Sequence, residues 1–337
     1  CLQKSEGCAA LYGVESDLGD KTQVRQASCV QDELCIEGEC PSFLTVYPGR
    51  GVRIRRKTPD SIGEIPEPVA KPLDEGETYT IFAVGRGGTG VVTISHLLAY
   101  AGMLDGLSVY FSNNTGLAQK GGPVEAPVQF SRGLQPSFNR LLPGGADLLL
   151  GFDLLRAAEP QNLRYASPER TVALVSTTRI PTASLNRNPD KRFPDPDMLA
   201  ELIDSCTDKR GNVYLDSYWL SEQLFGDAIY ANILLLGAAC QASALPLTVA
   251  ALEQAIRLND KDVEQNLLAF LWGRMAVYDA SFIDKRLGRP WADARERLSQ
   301  LLDQIAPDSL RDFVDVTLSE LDLGAEDQFQ VALRIVE

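Results

Sequence analysis

The apolar positions of this chain fall into two rhythms, preceded by a stretch that sustains neither. Residues 1–46 hold few large apolar side chains. Residues 47–77, YPGRGVRIRRKTPDSIGEIPEPVAKPLDEGE, carry five prolines among scattered charges and read as an extended linker or surface strap. From Thr78 short apolar runs alternate with a helical pattern. TYTIFAV (78–84), LSVYF (107–111), VEAPVQF (124–130), ADLLLGF (146–152) and TVALVS (171–176) read as strands. Between the first two, VVTISHLLAYAGML (91–104) sets Val91, Ile94, Leu98 and Ala101 on one helical face, and Asp105-Gly106 stops it. Pro127 cannot donate to a ladder, which puts its strand at an edge or a bulge. The spacing is that of βαβ units, so the expected fold class is α/β, with a Rossmann-like domain.

Beyond about residue 195 the period becomes 3.6. DPDMLAELIDSC (195–206), DAIYANILLLGAACQASAL (227–245), LTVAALEQAIRL (247–258), KDVEQNLLAFLWGRMAVY (261–278) and ADARERLSQLLDQIA (292–306) read as helices, and DSLRDFVDVTLSELDL (308–323) as a weaker one. Cys206 shares a stripe with Met198, Leu199, Leu202 and Ile203, and Cys240 one with Ile229, Ile233 and Leu236. Both read as buried small hydrophobes. The expected organisation is a head over 1–46, a linker over 47–77, an α/β domain over 78–245 and a helical region over 246–337.

An apolar fraction of 45% and a charged fraction of 23% are ordinary for a globular protein, so two or three modules fit in 337 residues. The net charge of −14 argues against a nucleic-acid partner, which needs a basic footprint. No apolar run reaches about twenty residues, so no membrane span is expected, and a cytoplasmic location is. Starting at Cys1 rather than at Met, the chain reads as a fragment or a processed product. His96, the one histidine, falls off the apolar face of its helix and excludes histidine-rich metal sites.

Two features carry candidate chemistry. The first is the head, with Cys1-x6-Cys8 and then Cys29-x5-Cys35-x4-Cys40-Pro41. Cys followed by Pro ends the ligand run of bacterial ferredoxins, and thiolates suit iron and sulfide. The spacings suit structural zinc less well, although zinc, disulfides and unligated thiols all stay open. The second is Gly85-Arg86-Gly87-Gly88-Thr89-Gly90, a G-x-G-x-x-G run between a strand and a helix. Its glycines permit a tight turn and let backbone N–H groups approach an anion at the helix start. A dinucleotide site would place an acid at the tip of the next strand, but that strand ends in Ser112-Asn113-Asn114, and Asp105 precedes it. SNNTGLAQKGGPVEA (112–126) is a long polar loop that leaves from the same sheet edge, so Thr115, Gly116, Gln119, Lys120, Gly121 and Gly122 should share a crevice with Gly85, Gly87, Gly88 and Gly90.

GRGGTGVVTISHLLAYAG with TGLAQKGGPV resembles the γ domain of 2-oxoacid:ferredoxin oxidoreductases, and GDAIYANILLLGAACQASALPLT and VEQNLLAFLWGR resemble its continuation. The head, from KSEGC to ECPSFLTV, resembles the ferredoxin-like segment of indolepyruvate:ferredoxin oxidoreductases. The resemblance implies oxidative decarboxylation of an aryl 2-oxo acid with coenzyme A as cosubstrate and ferredoxin or an equivalent as electron acceptor. It implies [4Fe–4S] ligation by Cys1, Cys8, Cys29, Cys35 and Cys40, with two further family cysteines absent. It implies a homo-oligomer in which thiamine diphosphate and magnesium sit on other domains of the enzyme. The thiamine signature, Gly-Asp-Gly followed by Asn, is missing, and Gly226-Asp227-Ala228 with Asn232 only echoes it. The rival readings are an NAD-binding Rossmann oxidoreductase and a zinc-stabilised noncatalytic interaction module.

Overall fold

A computed structural model describes residues 8, 10–14, 21–25, 29, 57–60, 62–116, 121–133, 141–188, 191 and 193–287 of the chain. The chain divides into two units, residues 1–278 and 279–337. In the first, β1 (Leu11–Val14) and β2 (Lys21–Val24) pair as an antiparallel hairpin. Next come β3 (Thr78–Arg86), α1 (Val91–Leu104), β4 (Ser108–Phe111), β5 (Asn114–Thr115), β6 (Pro123–Ser131) and β7 (Leu148–Gly151). After them lie the one-turn helices α2 (Leu154–Ala157) and α3 (Pro160–Leu163), then β8 (Val172–Ser176), α4 (Ala183–Arg187), α5 (Pro196–Ser205) and β9 (Val213–Leu215). Helices α6 (Ser217–Phe225), α7 (Ala231–Gln241), α8 (Val249–Leu258) and α9 (Val263–Tyr278) complete this unit. In the second unit, α10 (Ala280–Leu287) starts where the Asp279 carboxylate accepts the Phe282 N–H.

The main sheet runs β4-β6-β3-β7-β8-β9, with β5 beside β6. β3, β7, β8 and β9 are parallel, so the class is α/β with a parallel-rich sheet. Its central strands β3, β7 and β8 are buried on both faces, as unbroken apolar runs such as Ile81–Val84 and Leu148–Leu150 require. Helices α1 and α7 lie on one face, with α8 against α1 and α9 against α7. Ala231–Cys240 of α7 are buried on every side, because that helix is enclosed between sheet and α9. On the other face Leu154 and Ala157 of α2 and Ile203 of α5 pack on Phe82, Val84, Leu149, Ala173 and Val175.

Three expectations need correction. The strand holding Pro127 is neither an edge strand nor bulged; it lies between β3 and the β4–β5 pair and is antiparallel to both. Pro127 is tolerated because the neighbour pauses opposite it. Pairing stops at Phe111 and resumes at Asn114, and only Ser112 N–H reaches across, to the Pro127 carbonyl at 3.2 Å. In the second correction, Met198 and Leu202 of the α5 stripe are 67% and 43% exposed, so the buried seam is Ile203 with Leu199 and a half-buried Cys206. Ile229, set in a 3-10 turn ahead of α7, is 68% exposed, while Ile233, Leu236 and Cys240 are buried.

Residues 62–75 run extended along the helices. Lys71 N–H donates to the Leu245 carbonyl at 2.9 Å, and Arg274 donates to the Pro66 carbonyl at 3.1 Å. The readings placed on 292–306 and 308–323 lie outside the described residues. No described helix is long and apolar enough to cross a membrane.

Candidate functional site

Parallel strands carry their carboxyl ends to one edge of the sheet, and the loops that leave there are the natural place for a site. β3 ends into Gly87–Gly90, β7 into Phe152-Asp153, β8 into Thr177–Pro181, and β9 into Asp216. β4 is antiparallel to β6, which is antiparallel to β3, so β4 also ends at this edge. The long loop after β4 therefore meets the glycine loop. Gly87 N–H donates to the Gly122 carbonyl at 2.8 Å, and Gly121 N–H donates to the Gly87 carbonyl at 3.1 Å. Gly116 N–H closes the long loop onto the Pro123 carbonyl at 3.1 Å, and Thr115 lies exposed in β5. The structure thus brings together Gly85, Gly87, Gly88 and Gly90 with Thr115, Gly116, Gly121 and Gly122, whereas Gln119 and Lys120 lie outside the described residues.

Two of these glycines are required by geometry. A Cβ on Gly85 would stand 2.6 Å from Val91 Cγ2 and 3.1 Å from Phe152 Cβ, so only glycine lets β3 pass this closely. Gly90 caps α1 at φ 96°, in the left-handed region that favours glycine. It has no side chain with which to cap the first-turn N–H groups, which leaves them for another acceptor.

Sequence reasoning missed what holds this edge. Arg86, the variable position of the glycine run, is 6% exposed, and its Nε stands 2.5 Å from Asp153 Oδ2, itself 2% exposed. The contact is an ion pair rather than an aligned hydrogen bond. The same guanidinium donates to the carbonyls of Ile180 at 2.6 Å and Pro181 at 3.0 Å, so one side chain ties the ends of β3, β7 and β8. Asp153 also accepts the Arg156 N–H that starts α2. Burial pushes its carboxyl above the ordinary value, against the pull of Arg86. The one local signal was an aspartate directly after an apolar strand, in the cap pattern that opens a helix.

Thr89 is held from two sides. Its hydroxyl donates to the Arg86 carbonyl at 2.8 Å, and Asn232 of α7 donates to its carbonyl at 2.9 Å. Tyr218 of α6 is buried, and its phenol is pushed up to about 12, chiefly by burial and then by Asp153. Next to them Thr178 donates to Asp216 at 2.6 Å, and Ser217 joins Ser176 at 2.9 Å. Ser95 of α1 holds Asn113, at the end of β4, at 2.8 Å.

Several alternatives fail on this geometry. Asp105, the only acid at a dinucleotide-like distance, receives the Thr248 N–H and hydroxyl at the start of α8 and is no ribose ligand. The thiamine echo is also committed elsewhere: Asp227 accepts Ile229 N–H, and Asn232 holds Thr89. Those residues do not fit a diphosphate with its magnesium. His96 is exposed and stacks edge-on against Phe111 at 5.3 Å. The edge is therefore suited to holding an anionic group by backbone N–H.

In the head, Cys8 and Cys29 are half-buried, and Cys1, Cys35 and Cys40 lie outside the described residues. Pairing of β1 with β2 is continued by Arg25 N–H to the Ala10 carbonyl at 2.8 Å, and Leu11 N–H donates to the Cys8 carbonyl at 3.4 Å, which sets Cys8 at the open end of the hairpin. Among the described residues no group of three donors could hold a metal ion.

Comparison with known proteins follows the same strands. The sequence pattern of the family described as pyruvate ferredoxin/flavodoxin oxidoreductase matches residues 80–276. An indolepyruvate oxidoreductase subunit IorB from Archaeoglobus fulgidus is 29% identical over 198 residues, covering 57% of this chain and 92% of the relative. The subunit of the same name from Methanothermobacter thermautotrophicus is 29% identical, covering 57% of this chain and 94% of its own. Among solved structures, pyruvate oxidoreductase subunit PORC from Thermotoga maritima aligns at 20% identity and a TM-score of 0.43, over 58% of this chain and 95% of that one.

Proposed function

The chain belongs to the pyruvate ferredoxin/flavodoxin oxidoreductase family, whose pattern spans more than half of its 337 residues, and on that premise we propose its place in a larger enzyme. That enzyme oxidatively decarboxylates an aryl 2-oxo acid of the indolepyruvate kind. One 2-oxo acid anion and one coenzyme A thiol give acyl-CoA, carbon dioxide, a proton and two electrons, and the electrons pass singly to ferredoxin or an equivalent acceptor. The chain contributes a γ domain over 78–245 and a cysteine-rich head. Thiamine diphosphate, on other domains, supplies the carbanion-stabilising chemistry.

The observation that carries the reading is the clasp between Gly87 and Gly121-Gly122 at the carboxyl edge of the sheet. Gly85–Gly90 presents the open N–H groups of α1, and Lys120 on the second loop adds a cation. Backbone N–H and lysine together suit the phosphates of coenzyme A, which they would orient rather than transform. The head thiols Cys1, Cys8, Cys29, Cys35 and Cys40 would hold a [4Fe–4S] cluster. The names of the relatives favour the aryl substrate.

The intact enzyme, assembled with its thiamine-binding domains, should reduce a viologen dye with indolepyruvate only when coenzyme A is present. The purified protein should contain iron and acid-labile sulfide. Dye reduction independent of coenzyme A, or zinc in place of iron, would overturn the proposal.

A further inference from the structure

Helix α1 turns a second apolar stripe away from the core. Tyr100, Met103 and Leu104 are 48%, 66% and 48% exposed, and exposed His96 lies on the same side, one turn before Tyr100. A surface helix ordinarily carries charge on its outer face. Here Asp105 is the only charged residue from Val91 to Phe111, in a chain that is 23% charged, and Thr248 takes it up. Two contacts show which way the stripe looks. Ser95 holds Asn113, just past β4, at 2.8 Å, and His96 stacks on Phe111 of β4, itself 38% exposed. The stripe therefore overlooks the outer side of that strand.

Among the described residues no strand pairs with the outer side of β4, the terminal strand of the sheet. The ladder fixes which backbone groups point there. Ser112 N–H reaches inward to the Pro127 carbonyl, and residues of an antiparallel strand alternate in direction. Tyr110 therefore faces β6 as Ser112 does, while Val109 and Phe111 turn their N–H and C=O groups outward. We propose that a second copy of the chain docks on this edge, β4 against β4, about a two-fold axis midway between the two Tyr110 residues. Val109 of each copy then exchanges both backbone hydrogen bonds with Phe111 of the other, which uses every outward group of the two residues. Such an axis keeps both α1 helices on one face of the joined sheet, so their uncharged stripes meet across it. The occupant is a second copy because the edge is self-complementary and neutral. Two chains of net charge −14 repel one another, so they can associate only through a surface that adds no charge of its own. A charged partner would gain nothing from that surface. The contact is independent of what the carboxyl edge binds.

Sedimentation of the full chain over a range of concentrations tests this. It should show a monomer–dimer equilibrium that tightens as salt is raised, because salt screens the repulsion between like net charges. Met103→Glu, at a position already exposed, sets a carboxylate from each copy into the contact and should weaken the dimer about tenfold or more. Val69→Glu adds the same charge on the extended segment before β3, where Val69 is exposed, and should leave association unchanged. Val109→Pro removes an outward N–H that β6 does not use, so it should weaken the dimer with the fold intact. Tyr110→Cys should join two chains by a disulfide under mild oxidation, because residues facing each other across the axis form the close, non-hydrogen-bonded pair. Peptide mapping separates that bond from any made by the native cysteines. A chain that stays monomeric at the highest concentration, or a dimer indifferent to both Met103→Glu and Val109→Pro, would overturn the proposal. So would slowed amide exchange at Val109 and Phe111 that appears only when the thiamine-binding domains are added, since another domain would then own the edge.

Discussion

Each edge of the sheet is tied by an aspartate and an arginine, and the two ties differ in burial. At the amino edge Asp147, just before β7, accepts Thr80 N–H of β3 at 2.7 Å and receives Arg170, just before β8, at 2.5 and 2.8 Å. That arginine is 45% exposed, and Tyr79 lies buried nearby, its phenol raised by burial and by Asp147. At the carboxyl edge Arg86 and Asp153 join the same three strands with almost no exposure, and Tyr218 takes the place of Tyr79. A water-facing bidentate pair is a modest staple, whereas a buried one is costly to form and more costly to break. The buried tie stands where the loops need fixed positions, because a guanidinium that holds the Asp153 carboxylate and two adjacent carbonyls cannot drift.

The sharpest way to break this comparison is to remove one partner from each pair. Asp153→Ala leaves a buried guanidinium without its counter-charge and should cost about 3–5 kcal/mol in urea unfolding. Arg86→Met with Asp153→Leu should recover most of that loss, since a well-packed apolar pair often matches a buried ion pair. The next effect is smaller and depends on pH. The Tyr218 phenol is raised from 10.0 to about 12, so the stability it contributes is fully present below pH 10. It is lost as pH climbs from 10 through 12. Between those values the parent should lose on the order of 2 kcal/mol more than Tyr218→Phe, as measured by unfolding at each pH. Arg170→Ala should cost about 1 kcal/mol or less, and 1 M salt should shrink that cost while leaving the Asp153→Ala cost in place. Equal costs for the two single variants would erase the distinction between the edges.

The fold was legible where local signals agreed. β3, the glycine run and α1 could be placed because an apolar strand, four glycines and an Asp-Gly stop follow one another, and α7, α8 and α9 keep a clear 3.6 period. Convergence of the two loops could also be read, since strand polarity alone dictates it. The inserted antiparallel β6 could not: a strand buried on both faces carries the same apolar run in either direction. The Arg86–Asp153 tie joins residues that no short-range pattern relates. Helix α6, SYWLSEQLF, alternates apolar and polar positions irregularly, so Tyr218 gave no sign of its place beneath Arg25 at the end of the hairpin. Ile229 looked like part of a stripe because a 3-10 turn shares the next helix's period only approximately.

The central claim is that the carboxyl edge, with its clasped loops, holds coenzyme A for the enzyme's reaction while the amino edge only braces the sheet. The most direct measurement is the KM for coenzyme A in the intact enzyme carrying Lys120→Ala, beside the enzyme carrying Arg170→Ala. Loss of one charge-assisted contact to phosphate should raise that KM about tenfold in Lys120→Ala and leave it unchanged in Arg170→Ala. If Lys120→Ala altered neither turnover nor coenzyme A affinity, the claim would be contradicted.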